Sequence, residues 1–380
     1  MSPAPLVALS SNVAWNLHNF RRPIIEALLQ RGYRVVLVCP ADETLPALLA
    51  MGCSHVELPI DPQSVHPLHD LRTMAAYRSI YSHLRPALAM HFTIKPVIYG
   101  GITCRVLGIP AIHNITGLGT AFLHNGWMTC VAQWLYRRSL PYATRVFFQN
   151  EDDRNLFVAR RLLRNAQTML LPGSGVDTAH FAFASLPPRD GTALTFLFVG
   201  RTLRDKGVAE YVDAARRIKA VHPTVRFQLL GAADAANRSA YSAAEVQTWV
   251  DEGLLEYLGV MSDVRPALVA ADCVVLPSYR EGTSRALLEA ASMGRPLVAT
   301  DVPGCREVVQ DGVNGLLCTP RDAVDLAHRL LDFISLAPER RIEMGRAGRR
   351  RVEEGFAVPI VVDLIMKEVV AVLGASAAPH

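Results

Sequence analysis

Residues 277–304 read PSYREGTSRALLEAASMGRPLVATDVPG. The apolar run CVVLP (273–277) leads into this stretch, and PLVAT (296–300) lies near its end. Both are short β-branched runs of the kind that form buried strands. Between them, Ser284 to Met293 has the apolar spacing of an amphipathic helix, and Gly294 supplies its stop. Strand, helix and strand in so few residues make a βαβ unit, and therefore a parallel pair. Glu281 and Glu289 frame the helix, eight positions apart. Glu281 stands in the polar loop ahead of it, and Glu289 stands inside it beside Leu287, Leu288 and Ala290. A carboxylate in the most apolar part of a packed helix is costly without a partner. Either an ion pair with Arg285, one turn back on the same face, or a ligand that donates hydrogen bonds would supply one.

The same alternation runs outward in both directions. Upstream lie FLFVG, a helix over 206–221, RFQLLG, LEYLGV and a helix over 262–270; downstream lie a short helix over 305–310, GLLC and helices to the end. The first half repeats the pattern with PLVALSS (5–11), the helix FRRPIIEALLQRG stopped by Gly32, YRVVLVCP, ALAMHF, a helix around 98–108, AIHNIT and RVFFQN. The turn-rich segment from Gly173 to Thr195 reads as a linker. The pattern predicts an α/β chain of two doubly wound, Rossmann-like domains, residues 1–175 and 190–355. The last helix, about 358–373 in the segment 358–380, can pack on either. Ligands bind beyond the carboxyl ends of parallel strands, so two such domains are expected to hold a ligand cleft between them.

At 380 residues, two domains are the default, and half the residues are apolar, which is a globular composition. Seven scattered cysteines without a CxxC argue against a disulfide framework or zinc site and fit a reducing cytoplasm. The opening MSPAPLVALSSNVAW lacks the pattern of a signal peptide, and no apolar run reaches 18 residues. Residues 1–150 carry 12 Lys+Arg against 6 Asp+Glu, whereas the remainder carries 27 against 29. Residues 71–150 contain no acidic residue but hold Arg72, Arg78, Arg85, Lys95, Arg105, Arg137, Arg138 and Arg145. Such a field favours anionic partners. Nucleic acid is not among those expected, because no nucleic-acid motif accompanies the charge.

Two loops carry the chemistry. In FVGRTLRDKG (198–207), Arg201 directly follows a strand and Lys206 opens the next helix, so the two can close on one anion. In Glu281-Gly282-Thr283-Ser284, Gly282 permits close backbone approach, and Thr283 or Ser284 can cap the helix. That helix N-terminus favours a phosphate. Glu281 can accept hydrogen bonds from hydroxyls, and Glu289 can take a vicinal diol such as a ribose or pair with Arg285.

The longer phrase PSYREGTSRALLEAASMGRPLVATDVPGCREVVQDGVNGLL closely resembles the signature of retaining GT-B glycosyltransferases of the large Glu-x7-Glu family, family 4 type. GRTLRDKG is similar to that family's diphosphate-binding element. HFTIKPVIYGG (91–101), ITGLGTAF (115–122), FFQNEDDRNLF (147–157) and PGSGVDTAHF (172–181) resemble the subgroup acting on polyprenyl-diphosphate-linked sugars in bacterial lipopolysaccharide, capsule and N-glycan assembly. The resemblance implies a GT-B fold, with a first domain for the acceptor and a second for the nucleotide sugar. Arg201 and Lys206 would hold the donor diphosphate, Glu289 the ribose hydroxyls, and Met261 would lie near the base. Glu281, with Gly282, Thr283 and Ser284, would face the donor sugar, and Leu288 and Asn12 would complete the donor site. The chain departs from the family in SSNVAWNLHNF, where the first loop has no glycine, although Asn12 can take left-handed angles. It departs again where many relatives carry a histidine before the GLG-type loop. Thr116 stands there, with His113 three residues earlier and His91 at the end of ALAMHF; these are the candidate catalytic residues of the first domain, although a strand-end histidine is also a common hydrogen-bonded structural residue.

The resemblance further implies transfer, with retention, of a hexose or N-acetylhexosamine from a nucleotide sugar. UDP-GalNAc, UDP-GlcNAc or UDP-Gal is the expected donor, and a polyprenyl-diphosphate-linked or other glycan the acceptor. The alternatives are a GDP-mannose-type transferase, a sugar-nucleotide epimerase on the same scaffold, or a non-catalytic membrane-associated binding subunit. A dinucleotide oxidoreductase is disfavoured because neither domain has GxGxxG after its first strand. No Asp-x-Asp occurs, so no metal and no cofactor is expected. The enzyme is expected in the cytoplasm, peripheral on the cytoplasmic face of the inner membrane through its basic N-terminal domain. GWMTCVAQWLYRRSL (126–140), with Trp127, Trp134, Leu135 and Tyr136 beside Arg137 and Arg138, reads either as an interfacial amphipathic helix or as a core-facing helix with a basic end.

Overall fold

A computed structural model describes residues 4–61, 66–117, 127–188, 193–233 and 239–375. The chain divides into two compact units, Met1–Ser174 with Pro359–His380, and Gly175–Val358.

The first unit is built on seven strands: β1 (Leu6–Ser10), β2 (Arg34–Cys39), β3 (Ser54–Glu57), β4 (Leu88–Phe92), β5 (Ala111–Ile115), β6 (Arg145–Phe148) and β7 (Thr168–Leu170). Every pairing is parallel and the order is β3-β2-β1-β4-β5-β6-β7. Helices α1 (Ala14–Gln30), α2 (Leu45–Ala50), α3 (Pro67–Leu84), α4 (Gly101–Leu107), α5 (Trp127–Ser139) and α6 (Glu151–Ala159) follow successive strands. A parallel sheet needs cover on both faces, and two separate cores provide it. One joins Leu17, Ile25 and Leu28 of α1 to the strands, and the other joins Tyr77, Tyr81, Val97 and Tyr136.

The second unit repeats the design with β8 (Thr195–Val199), β9 (Arg226–Leu230), β10 (Glu256–Gly259), β11 (Cys273–Leu276), β12 (Leu297–Thr300) and β13 (Gly315–Cys318). These six strands are also parallel, in the order β10-β9-β8-β11-β12-β13. Its helices are α7 (Val208–Lys219), α8 (Ala243–Asp251), α9 (Arg265–Ala270), α10 (Arg285–Ser292), α11 (Ala323–Ser335) and α12 (Pro338–Gly355). The last helix, α13 (Val358–Ala375), returns to the first unit, where Val361, Ile365, Met366 and Val369 join the core containing α1.

Three local expectations are corrected. Helix α1 starts at Ala14, six residues before the FRRPIIEALLQ segment, because its buried stripe of Ala14, Leu17, Arg21, Ile24, Ile25 and Leu28 already has helical spacing from Ala14. The first loop is thereby only three residues, Ser11–Val13, and Asn12 is not left-handed. Among the described non-glycine residues, only Arg85, Thr93, Arg161 and Arg321 have positive φ. The expected helix over 305–310 is a set of turns around Val302 to Val309, with the Asn314 side chain accepting from the Gln310 N–H (2.7 Å) and donating to the Val308 carbonyl (3.0 Å).

Candidate active site

The strand order of the second unit reverses between β8 and β11, and this is where open α/β sheets place their ligands. The loops leaving these two strands carry the residues singled out in the sequence. After β8 come Gly200 and Arg201, a 3-10 turn over Arg204–Lys206, and Gly207 ahead of α7. After β11 the chain runs from Pro277 to Ser284, whose hydroxyl accepts from the Leu287 N–H (3.4 Å) and caps α10.

Glycine makes the approach of these loops possible. Gly207 has φ 73°, and a Cβ there would fall 2.0 Å from the Pro277 carbonyl oxygen. With the loops in contact, the Tyr279 N–H donates to the Asp205 carbonyl (2.9 Å), and Lys206 forms an ion pair with Glu281 across the switch point. Both side chains are largely shielded from solvent, so this pair is electrostatically stronger than a surface one. A second close approach fixes Glu281 from the side of β12. Gly304 has φ 85°, and its Cβ would meet Glu281 backbone and side chain at 2.4 to 2.6 Å. The Glu281 N–H donates to Pro303 and the Ser284 N–H to Gly304, each at 3.0 Å. Beneath the loop, the Tyr279 hydroxyl donates to Glu210 (2.6 Å), while Arg321 lies 4.6 Å over the Tyr279 ring.

Arg201 is exposed, and among the described residues its side chain has no hydrogen-bond or ion-pair partner. Glu289 lies on α10 with its carboxylate paired to Arg285 Nε at 2.6 Å, which is the partner weighed from the sequence as the alternative to a diol. Burial pushes its carboxyl above the ordinary carboxylate range, against the opposing pull of the Arg285 charge. Met261, just beyond β10, is exposed, and Gly282 and Thr283 are half-buried. The Leu288 side chain is buried in the core of the unit, so it offers a ligand no side-chain surface in this structure.

In the first unit, His91 is fully buried on β4. It hydrogen-bonds with the Tyr81 hydroxyl (2.9 Å) and with His113 Nδ1 (3.2 Å). Burial, reinforced by His113, holds it well below the usual histidine range, and burial brings His113 down to about 3, so both rings are neutral. With no accessible surface and both ring nitrogens engaged, His91 is held here as a buried, hydrogen-bonded residue and is not open to a ligand in this structure. Asn12 is half-buried and accepts from Ser11 Oγ (3.4 Å); Thr116 is half-buried just after β5. Residues 118–122 of ITGLGTAF, and the Trp127 side chain, lie outside the described residues.

Lys206 and Glu281, expected from the sequence to meet the donor's phosphate and sugar separately, also pair with each other. The signal was present in two glycines, Gly207 directly after Lys206 and Gly304 in VPG, since each marks a close backbone approach.

Two family profiles match the chain in succession. One described as "Glycosyl transferase 4-like" covers residues 6–150, and one described as "Glycosyl transferases group 1" covers residues 193–335. The chain is similar to the N,N'-diacetylbacillosaminyl-diphospho-undecaprenol alpha-1,3-N-acetylgalactosaminyltransferase of Campylobacter jejuni, at 25% identity over 85% of this chain and 88% of that protein. It is also similar to the Escherichia coli UDP-Gal:alpha-D-GlcNAc-diphosphoundecaprenol alpha-1,3-galactosyltransferase, at 24% identity over 82% and 80%. Among solved structures, Anabaena HepE in complex with UDP superposes with a TM-score of 0.75 at 18% identity, covering 97% of this chain and all of that one. Sucrose-phosphate synthase of Thermosynechococcus elongatus gives 0.78 at 20% identity, covering 98% and 100%. At these identities the two structures speak for the fold, which is GT-B.

Proposed function

We propose a reaction from one premise: the chain belongs to the group 1 glycosyl transferases and is a glycosyltransferase of GT-B fold. It moves a hexose or N-acetylhexosamine from a nucleotide sugar, UDP-linked, to a polyprenyl-diphosphate-linked glycan, with retention at the anomeric carbon. The observation that carries the reading is the Lys206–Glu281 pair across the β8/β11 switch point, with Arg201 exposed on the same loop as Lys206. The acceptor class is supported by the two bacterial relatives, both named for undecaprenyl-diphosphate-linked sugars.

Arg201 and Lys206 hold the donor diphosphate. Lys206 exchanges its carboxylate partner for a phosphate oxygen as the donor binds, and this exchange releases Glu281 to accept hydrogen bonds from the donor sugar. In the transfer, the bond from the anomeric carbon to the diphosphate oxygen breaks while the acceptor oxygen bonds to the same face. The acceptor hydroxyl proton passes to the departing diphosphate. The negative charge that develops there is what Arg201 and Lys206 are placed to stabilise, without a metal. Glu289 turns from Arg285 towards the ribose diol. The enzyme works on the cytoplasmic face of the inner membrane, which its basic first unit contacts.

Thermal-shift measurements with UDP-, GDP- and TDP-sugars identify the donor, because a ligand that binds the native state raises its melting point. Transfer from that donor to an undecaprenyl-diphosphate-linked acceptor is then followed by mass spectrometry, with a donor-only control. Replacing Arg201 by Ala should remove about 2–4 kcal/mol of transition-state stabilisation, by analogy with loss of one oxyanion donor. Near-normal turnover in that variant, or epimerised donor in the control, would overturn the reading.

A further inference from the structure

The place of Glu281 is set from the turns that follow β12. Its N–H donates to the Pro303 carbonyl and the Ser284 N–H to the Gly304 carbonyl, and Gly304 stands so close that a Cβ there would fall 2.4 Å from the Glu281 Cβ. A shift of Gly304 is therefore felt at Glu281, with no flexible side chain between the two to absorb it. Two further side chains hold this turn. The Glu307 carboxylate accepts from the Gly304 N–H (2.5 Å), a charge-assisted bond. Glu307 is in turn held by Arg351 of α12. Arg351 Nη2 donates to the Glu307 carbonyl (2.6 Å), and its Nε is shared between that carbonyl (3.2 Å) and the Val308 carbonyl (3.1 Å). Irregular turns leave carbonyls that no helix or strand satisfies, and here one planar guanidinium takes two of them, which a single ammonium point charge does poorly. The arm also springs from a fixed support. A Cβ at Gly345 of α12 would fall 2.1 Å from the Gly294 carbonyl oxygen, so α12 lies directly on the end of α10, the helix that Ser284 caps.

We propose that Glu307 and Arg351 are positioning residues of the transfer reaction: Arg351 fixes Glu307, Glu307 fixes Gly304, and Gly304 fixes Glu281 against the donor sugar. The inference rests on the role given to Glu281 above. Neither side chain is required to touch a substrate, and each acts through Glu281. What they supply is precision, because a carboxylate displaced by an ångström no longer meets the sugar hydroxyls at hydrogen-bonding distance. The groups assigned to the nucleotide stand outside this chain of contacts, Arg201 and Lys206 on the loop after β8 and Glu289 on α10. Loss of Glu307 or Arg351 should therefore be read in turnover and not in nucleotide affinity.

The test compares Arg351→Lys, Glu307→Ala and Glu307→Gln, each alone and combined with Glu281→Ala, which removes the group being positioned. Turnover is followed with the donor selected by thermal shift, UDP affinity is measured by calorimetry, and a wild-type thermal shift with UDP checks folding. Arg351→Lys keeps the charge but not the fork, Glu307→Ala removes the acceptor, and Glu307→Gln keeps an oxygen for the Gly304 N–H. Arg351→Lys and Glu307→Ala should each lower kcat about tenfold or more, as misplacement of a reacting partner does, with UDP affinity within about threefold of wild type. Glu307→Gln should recover most of that loss. With Glu281→Ala already present, the same changes should cost no more than about twofold in kcat, since effects that pass through one group are not additive. Additive losses in that background overturn the proposal, because they would act by a route other than Glu281. It is equally overturned by losses of UDP affinity as large as those in kcat, which a general loosening of the unit would give, or by Glu307→Gln as impaired as Glu307→Ala. The two Glu307 variants run the cycle by themselves should Arg351→Lys fail to fold. Wild-type transfer by Glu281→Ala would remove the role of Glu281 itself, whereas additivity beside an impaired Glu281→Ala removes only the positioning by Glu307 and Arg351.

Discussion

Glu289 is held between opposing influences, burial that raises its pKa and the Arg285 charge that lowers it. If its carboxylate accepts from the ribose diol, binding selects the ionised form and releases any proton it carries. Affinity for UDP should then fall as pH drops through a value above the usual carboxylate range. Glu289→Gln should lack that acid limb, since the titration of UDP itself is common to both proteins, and should bind UDP about 1–3 kcal/mol more weakly at neutral pH. Glu281→Gln should behave otherwise. It frees Lys206 from its partner, so affinity for UDP should hold or rise while transfer falls. Calorimetry across pH on the three proteins separates the roles, and equal losses in both variants would dissolve the division of labour. The two ion pairs differ in how far they could be read beforehand. Arg285–Glu289 is a helical i,i+4 pair, visible in the sequence. Lys206–Glu281 joins residues 75 apart and appears only once β8 and β11 are known to be neighbours. His91 was unreadable for another reason: a strand covered on both faces has no polar side against which an inward or outward histidine can be told.

At the scale of elements, the alternation of β-branched runs and amphipathic helices was enough to read two parallel α/β sheets, because that pattern is local. Loop geometry was not local. The turn region around Val302 to Val309 has helical spacing, yet its hydrogen bonds are partly taken by the Asn314 side chain, and Gly304 is committed to the approach of Glu281. That commitment makes a prediction. Gly304→Ala must both hold a positive φ and displace Glu281, so it should lose about 1–3 kcal/mol of stability together with most of the transfer activity. Gly312→Ala shares a φ of 70° but meets nothing within 4 Å, so it should pay only the backbone strain, about 1 kcal/mol, and keep its activity. Melting temperatures and turnover of the pair check this, and equal activity in the two would remove the steric argument for the Glu281 loop.

For the whole molecule, charge and chain path carry the remaining expectations. The catalytic charges proposed here, Arg201 and Lys206, need no cation between them and the diphosphate, so turnover should be unchanged by a strong chelator; activity lost in chelator and restored by magnesium or manganese would refute that. The path of the chain sets the second expectation. Which unit receives α13 was open in the sequence, because an apolar helix suits any uncovered sheet face. The structure uses it to cover the first sheet beside α1, with Val361, Ile365, Met366, Val369, Val372 and Leu373 buried, and with Glu368 paired to Arg145 at 2.8 Å. At roughly 1.5–3 kcal/mol for each buried side chain, the six amount to roughly 9–18 kcal/mol, as large as the roughly 5–15 kcal/mol net stability of a typical domain. Discounted by roughly 10–40% for residual burial in the unfolded chain, the loss is still about 5–16 kcal/mol, comparable to the whole net stability of a domain. Removing residues 359–380 should therefore unfold the first unit and leave the second. Scanning calorimetry should show one cooperative transition in place of the full-length profile, still raised by UDP, with new binding of a hydrophobic dye. Ile365→Ala, a smaller insult to the same core, should cost about 2–5 kcal/mol and move only the transition that the truncation abolishes. A truncated chain that keeps the full-length profile would mean that α13 is dispensable to the first unit.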